Sequence, residues 1–295
     1  METKWLIAFA IGIGLPILLH RTLLVIMQKK LYRLGMQRLN YRGMEVLTGG
    51  GVLIVVSTVV TLGALLLFLK TKGTPLSILD EGLLLGAGMV VMAFWGWQDD
   101  RSPDPIVKGF RGHFGALWHQ GEMTSGLWKA WGGGSTAFLI SLAFAQSFWS
   151  WLLAICLLAI TPNVLNLFDL RPARALKVFW FLLFIAGVAG YYAGESAGAG
   201  QMAWVWFLPV ITSSIFLFRH DAGGKIMLGD TGANALGFVV GYAFVITTPA
   251  YVQGLVLLLF ISLHIVAEFI SISQYIERFR WLRRMDSWGR SAKSD

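Results

Sequence analysis

The stretch Thr161-Pro-Asn-Val-Leu-Asn-Leu-Phe-Asp-Leu-Arg-Pro-Ala-Arg-Ala-Leu-Lys177 lies where one long apolar segment ends and the next begins. Within it Asn163, Asn166 and Asp169 recur every three residues, so on a helix they would share an arc of about 120°. Three cations follow at once, namely Arg171, Arg174 and Lys177. Because unpaired polar groups are costly in hydrocarbon, the stretch predicts a boundary between two membrane helices where polar side chains meet a ligand or a partner.

The composition is that of an integral membrane protein. The chain has 295 residues, of which 56% are hydrophobic and 14% are charged, whereas a soluble domain carries about 25% charged residues. The apolar segments are close to the ~20 residues that cross a bilayer as a helix, and they lack the alternation of a barrel strand. We therefore predict an all-α, polytopic helical bundle that forms one domain over residues 1–295.

Length and flanking residues predict about nine membrane spans. They cover residues 4–27, 47–69, 81–97, 124–145, 148–167, 175–193, 202–218, 230–248 and 252–275. Two of them, 81–97 and 124–145, contain glycines and polar residues and have the weakest signal.

The net charge of +8 fits membrane topology better than a nucleic-acid partner, which we do not expect. The cations are concentrated in the connections after the first, third, fifth and seventh spans and in the carboxyl-terminal tail. Cytoplasmic connections carry the excess of Lys and Arg. The amino terminus is therefore predicted to be outside and the carboxyl terminus cytoplasmic.

The tail, residues 271–295, is basic, and from Ser271 to Arg290 aromatic and aliphatic residues alternate with arginines. One interpretation is an amphipathic helix at the lipid headgroups. The other is a solvated basic extension of the last helix. The pattern does not distinguish them.

Three separate segments place acidic residues on the predicted cytoplasmic side. Asp99 and Asp100 end the third span, Asp169 follows the fifth, and Asp230 opens the eighth. Adjacent carboxylates repel each other, and Mg²⁺ accepts a few carboxylates together with phosphate oxygens and water. The alternative for the Asp99-Asp100 pair is a solvated loop neutralised by Arg101.

The segment Gly229-Asp-Thr-Gly232 predicts a helix start whose free amides favour a phosphate, with Asp230 as a metal ligand. The alternative is a plain helix start with Asp230 or Thr231 as the cap. The cations after Asp169 suit phosphate contacts, although they could simply mark the cytoplasmic edge while the amides join helices. The whole set favours phosphoryl transfer to a membrane substrate.

The order Asp99-Asp100, Asn163-x-x-Asn166-x-x-Asp169 and Gly229-Asp-Thr-Gly232 resembles the polyprenyl-phosphate N-acetylhexosamine-1-phosphate transferases. These include phospho-MurNAc-pentapeptide translocase and the GlcNAc-1-phosphate transferases. The segments Tyr41-Arg-Gly43 and Thr48-Gly-Gly-Gly51 are similar to the family's segment ahead of its second span. The resemblance runs from about residue 40 to residue 240.

The resemblance implies transfer of a sugar-1-phosphate from a UDP-N-acetylhexosamine to a polyprenyl phosphate, releasing UMP, on the cytoplasmic face of a bacterial membrane during synthesis of cell-envelope precursors. It implies Mg²⁺ as cofactor, with Mn²⁺ as an alternative ion, and it allows a homodimer. The catalytic residues carried over are Asp99, Asp100 and Asp169, and the metal ligands are Asp230 and Asp169. The substrate-binding set is Asn163, Asn166, Arg171, Arg174, Lys177, Lys108 and Arg111.

The chain departs from the family at two positions. The family's central motif continues Asp-Gly-x-Asp-Gly, whereas here Leu170-Arg-Pro-Ala173 follows Asp169, so that Pro172 stands at the second aspartate position. Met227 stands where the translocase has an aromatic residue. An inactive family-derived protein that binds the lipid phosphate or the nucleotide-sugar is therefore the second hypothesis. An unrelated transporter or structural bundle is the third hypothesis, but its expected signature, polar breaks near the middle of the spans or paired halves, is missing from the sequence.

Overall fold

The computed structural model describes residues 2–40, 42–101, 125–193 and 201–290. In these ranges the chain is helical apart from one hairpin, β1 (Gln37–Leu39) and β2 (Glu45–Leu47), which pair antiparallel with Arg38 opposite Val46. The helices are α1 (Thr3–Arg33), α2 (Gly51–Thr71), α3 (Leu76–Arg101), α4 (Ser125–Ser141), α5 (Phe148–Phe168), α6 (Arg174–Tyr192), α7 (Gln201–Ala222), α8 (Gly229–Thr247), α9 (Ala250–Phe269), α10 (Ile272–Arg278) and α11 (Arg280–Ser287).

The prediction of an all-α polytopic membrane bundle is confirmed. In the described ranges, seven helices are long and apolar enough to cross a membrane, namely α1, α2, α3, α5, α6, the Ala203–Ala222 part of α7, and α9. Each coincides with one predicted span, and α4 and α8 coincide with the other two. Helix α3 extends beyond its predicted span at both ends, where Asp80, Asp99 and Asp100 lower the local hydropathy.

Helix α8 is the centre of the bundle. All but three of its 19 residues are buried, and it packs mainly against α3 and α5. Glycines permit this close packing, as small residues do in membrane bundles. A Cβ atom at Gly96 of α3 would lie 2.2 Å from the carbonyl oxygen of Asp230, and one at Gly51 of α2 would lie 2.1 Å from the Cα of Gly232. The start of α8 is therefore held between α2 and α3.

The outermost helices have the opposite character. Only 11% of the apolar window of α1, and the same fraction of α9, is buried. Leu255, Leu258 and Leu259 of α9 are each more than 60% exposed. Such an apolar surface suits contact with lipid chains, since a membrane helix needs no polar outer face.

We use the term motif end for the end of the bundle where α1, α3, α5 and α7 finish and α2, α6 and α8 begin. Backbone hydrogen bonds join its connections: the Met227 N–H donates to the Leu47 carbonyl (2.7 Å), and the Gly50 N–H donates to the Met227 carbonyl (2.9 Å). The hairpin is thus attached to the α7–α8 connection. Every acidic motif of the described chain that the sequence singled out lies at this end.

Candidate functional site

Asp100, at the end of α3, binds the first turn of α8. Its carboxylate accepts hydrogen bonds from the N–H groups of Asp230 (3.0 Å) and Thr231 (2.9 Å) and from the Thr231 hydroxyl (2.5 Å). The Thr48 hydroxyl donates to the same carboxylate at 3.4 Å. A carboxylate at a helix amino terminus satisfies free N–H groups and interacts favourably with the helix dipole. Asp100 therefore caps α8 from a neighbouring helix.

Gly229 makes this contact possible. Its φ is +72°, and a Cβ atom there would lie 2.7 Å from Asp100 Oδ2 and 2.8 Å from the Gly49 backbone nitrogen. Only glycine combines a positive φ with so little space. The close approach of the Asp100 carboxylate therefore requires a glycine immediately before Asp230.

Asp169 ends α5 beside the same junction. Its carboxylate faces the Gly229 N–H at the start of α8. Burial raises the pKa of Asp169 well above its usual value, and the negative charges of Asp221, Asp230 and Asp100 raise it further. The structure therefore brings carboxylates of α3, α5, α7 and α8 close enough to influence one another.

The two asparagines of the sequence arc have different positions. Asn166 donates from Nδ2 to Asn234 Oδ1 of α8 at 2.8 Å, while its own Oδ1 is buried and accepts no hydrogen bond from the described residues. Asn163 is exposed, on the side of α5 that faces away from the core. Only Asn166 and Asp169 of the arc therefore face α8.

Asp221, in the last turn of α7, is a site residue that the sequence analysis did not select. It accepts hydrogen bonds from the Ala173 N–H (2.7 Å) and from the Leu228 N–H, and only 3% of its surface is exposed. The one available signal was a carboxylate within the basic segment after the seventh span. That segment contains Arg219 and Lys225, so an exposed ion pair was the simpler expectation.

Arg38 is a second missed residue. It lies on β1, and its Nη2 donates to the backbone carbonyl of Asp100 at 3.2 Å. In the sequence it counted only toward the charge of the first cytoplasmic connection. The hairpin brings it to the end of α3, which no local pattern predicted.

The three cations after Asp169 each contact the tail. Arg171 pairs with Glu277 of α10 at 2.8 Å, and Arg174 pairs with Asp286 of α11 at 2.7 Å. The Lys177 ammonium donates to the backbone carbonyls of Met285 (3.0 Å), Asp286 and Trp288 (3.1 Å).

Asp99 is half-buried beside Asp100. Lys108 and Arg111 lie outside the described residues.

A pocket with an empty volume of about 340 Å³ opens at this junction. Its lining includes Asn40 of the hairpin connection, Asp169, Arg171 and Pro172 of the α5–α6 turn, and Asp221. A larger groove with an empty volume of about 1510 Å³ lies between α6 and α7 and is lined mainly by apolar and aromatic residues such as Trp180, Phe184 and Trp204. Only the smaller pocket has acidic walls.

The described residues contain no group of three or more His, Cys, Asp or Glu side chains that could hold a metal ion. A cage made wholly of such side chains therefore does not fit this part of the chain. Magnesium also binds through one or two carboxylates and completes its shell with water and phosphate oxygens. Asp169 lies close enough to Asp230 for their charges to interact, and Asn166, three residues earlier, has an Oδ1 without a hydrogen-bond donor among the described residues. These oxygens fit the smaller set of protein ligands that magnesium needs.

The chain matches no protein-family model and none of the curated proteins compared with it.

Proposed function

We propose that the protein transfers a sugar-1-phosphate from a UDP-N-acetylhexosamine to a polyprenyl phosphate and releases UMP. The observation that carries the proposal is the junction at the start of α8. There Asp100 caps Asp230 and Thr231, and Asp169 lies close enough to Asp100 and Asp230 for their charges to interact. Three motifs that are each more than 60 residues apart in the chain therefore share one small region. A structural bundle has little reason to gather repelling carboxylates at one partly buried junction, because each adds an electrostatic cost.

The proposed orientation has nine crossings, with the amino terminus outside and the motif end cytoplasmic. The seven long apolar helices support it together with α4 and α8, and the Lys and Arg residues of the motif-end connections support the direction. The proposed location is the cytoplasmic membrane of a bacterium, in cell-envelope precursor synthesis. A homodimer is compatible with the apolar outer faces of α1 and α9.

In the proposed reaction an oxygen of the polyprenyl phosphate attacks the sugar-linked phosphorus of the nucleotide-sugar. The bond from that phosphorus to the bridging oxygen breaks, and UMP leaves with the electron pair. Asp169 and Asp230 would hold Mg²⁺, which supplies neutralisation of the phosphate charges when bound. Asn166 would orient the bound group through its buried amide oxygen.

The other residues have supporting roles in this proposal. Asp100 is a positioning residue, because its oxygens are already occupied by the amides and hydroxyl at the start of α8. Asp99 remains the candidate that organises the lipid phosphate. Among the described cations Arg38 is the best placed to approach that phosphate, since its guanidinium already reaches the last turn of α3.

Purified full-length protein, incubated with a polyprenyl phosphate, Mg²⁺ and a panel of UDP-sugars, tests the proposal. We expect UMP release with at least one UDP-N-acetylhexosamine and none when the lipid phosphate is omitted. Absence of UMP with every sugar, while the lipid phosphate still binds, would reject the enzyme.

That negative result would support the second function, a binding protein without turnover. One observation favours it: Arg171, Arg174 and Lys177 are engaged by the tail, so these predicted phosphate contacts are already used within the protein.

A further inference from the structure

The cations of the α5–α6 turn and the tail form one structural unit. Each of the three cations that follow Asp169 contacts a different part of residues 271–290. Arg171 reaches Glu277 of α10, Arg174 reaches Asp286 of α11, and Lys177 binds carbonyl groups where α11 ends. The tail is thus attached at three points within residues 171–177.

Asp286 is the centre of this unit. Arg174 contacts it with two parallel hydrogen bonds, Nε to Oδ1 at 2.7 Å and Nη2 to Oδ2 at 2.8 Å, and donates a third from Nη1 to Ser273 at 2.9 Å. Arg290 Nη2 lies 2.8 Å from Asp286 Oδ2. The Arg174 and Asp286 side chains are only 4% and 11% exposed. Buried bidentate pairs of this kind have well-defined geometry.

The unit is directly connected to the candidate site. Arg290 Nε donates to the carbonyl of Pro172 at 3.0 Å, and the Ala173 N–H on the other side donates to Asp221. Ala173 has a φ of 62°, an uncommon conformation for a residue other than glycine. Such a conformation persists when surrounding contacts hold it. Here the tail holds one side of the turn and α7 the other.

We propose that the tail is a clamp for the turn from Asp169 to Arg174, with Asp286 as the positioning residue, and that the three cations bind the tail in place of substrate phosphate. Removal of the Asp286 charge leaves Arg174 buried without its carboxylate, which is strongly unfavourable. The turn then loses its outer support, and Asp169 loses its fixed position. The inference rests on the proposed function in one respect only, namely that a fixed Asp169 would serve the proposed metal site.

Amide hydrogen exchange of the full-length protein in lipid nanodiscs, followed by mass spectrometry, tests the clamp without any substrate. In Asp286→Asn we expect the amides of residues 169–177 to exchange at least about tenfold faster, because local opening becomes easier. The amides of α2 should exchange as in the unchanged protein. Asp286→Glu should restore most of the protection, since it keeps the charge.

Two matched variants make the result specific. Arg283→Gln removes a charge from the exposed face of the same helix, and Glu277→Gln removes the outer, more exposed ion pair. Neither should change exchange at residues 169–177 as much as Asp286→Asn. Unchanged exchange in Asp286→Asn, an equal effect of Arg283→Gln, or equally faster exchange in α2 would each overturn the proposal. Failure of UMP release in the unchanged protein rejects the transferase and leaves this result standing.

Discussion

Asp169 and Asp286 are carboxylates at the same end of the bundle, but their surroundings are opposite. Asp169 is half-buried near three other carboxylates, so that desolvation and their negative charges raise its pKa. For Asp286, burial alone would raise the pKa, but hydrogen bonds and charges from Arg174 and Arg290 outweigh it and lower the pKa. The first side chain resists carrying a charge, whereas the second is stabilised in its charged form.

The difference separates two uses of a buried acid. An acid surrounded by other acids is suited to receiving a cation that the chain itself does not supply, because that cation relieves the repulsion. An acid between two guanidinium groups already has its counter-charge and contributes to structure. Both environments meet the α5–α6 turn, since Asp169 begins the turn and Arg174, the partner of Asp286, ends it. Changes to one or the other should therefore separate activity from stability.

The largest expected effect is on activity, at the acid beside Asp169. Asp230→Asn removes one proposed cation ligand while preserving the N–H that Asp100 accepts. Loss of several kcal/mol of transition-state stabilisation corresponds to a decrease in UMP release of about a thousandfold. The thermal unfolding midpoint should stay within a few degrees. Asp80→Asn, which changes an exposed acid at the start of α3, is the control. Near-normal rates of UMP release in Asp230→Asn would show that Asp230 is not a metal ligand.

The next effect is on stability, at the other acid. Arg174→Ala should lower the free energy of unfolding by about 3 kcal/mol, because Asp286 is left buried without its main partner. Thermal unfolding in a single detergent measures it. The double variant Arg174→Ala/Asp286→Ala should lose less than the sum of the two single variants, since both remove the same interaction. Strict additivity would mean that the pair is not coupled.

A change of opposite sign is expected at Asp169. Asp169→Asn keeps an oxygen for the Gly229 N–H and removes one of the repelling charges. We expect the unfolding midpoint to stay constant or rise, because the repulsion among the carboxylates decreases, while UMP release is lost. Asp286→Asn should lower the midpoint in the same assay. If both variants are destabilised alike, the contrast between the two acids is wrong.

The smallest effect is the response to pH. Because the folded pKa of Asp286 lies below the ordinary value of 3.8, its contribution is complete above that value and decreases as pH falls through the lower folded pKa. The groups that face this carboxylate are the guanidinium groups of Arg174 and Arg290 and the ammonium group of Lys177. The difference in midpoint between the unchanged protein and Asp286→Asn should thus be constant from about pH 6.5 to pH 5. A difference that changes across this range would contradict the lowered pKa.

Much of the fold could be predicted because hydropathy acts locally. Stretches of about 20 apolar residues indicated each long helix. The clustering of acids in connections on one predicted side indicated that Asp100, Asp169 and Asp230 would lie at one end. The fine arrangement was different. The sequence suggested phosphate contacts for the cations after Asp169, which stays a prediction, but it did not indicate the contacts that they make with the tail.

The contacts that the sequence could not indicate join distant residues. Arg174 and Asp286, which share two hydrogen bonds, are separated by 112 positions in the chain. Several other acids were equally suitable partners for Arg174 by charge alone. Asp221 was missed for the same reason: its partners are backbone N–H groups of two other connections, which carry no side-chain signature.

The amino-acid sequence by itself determined that this is a helical membrane protein with its polar motifs at one end. Those properties follow from the free energy of placing each segment in water or hydrocarbon, which depends on composition. Only the tertiary structure decided which acid receives a guanidinium and which is left among other acids. That choice depends on packing, because glycine crossings bring α3 and α8 together and the folded-back tail delivers Asp286 to Arg174.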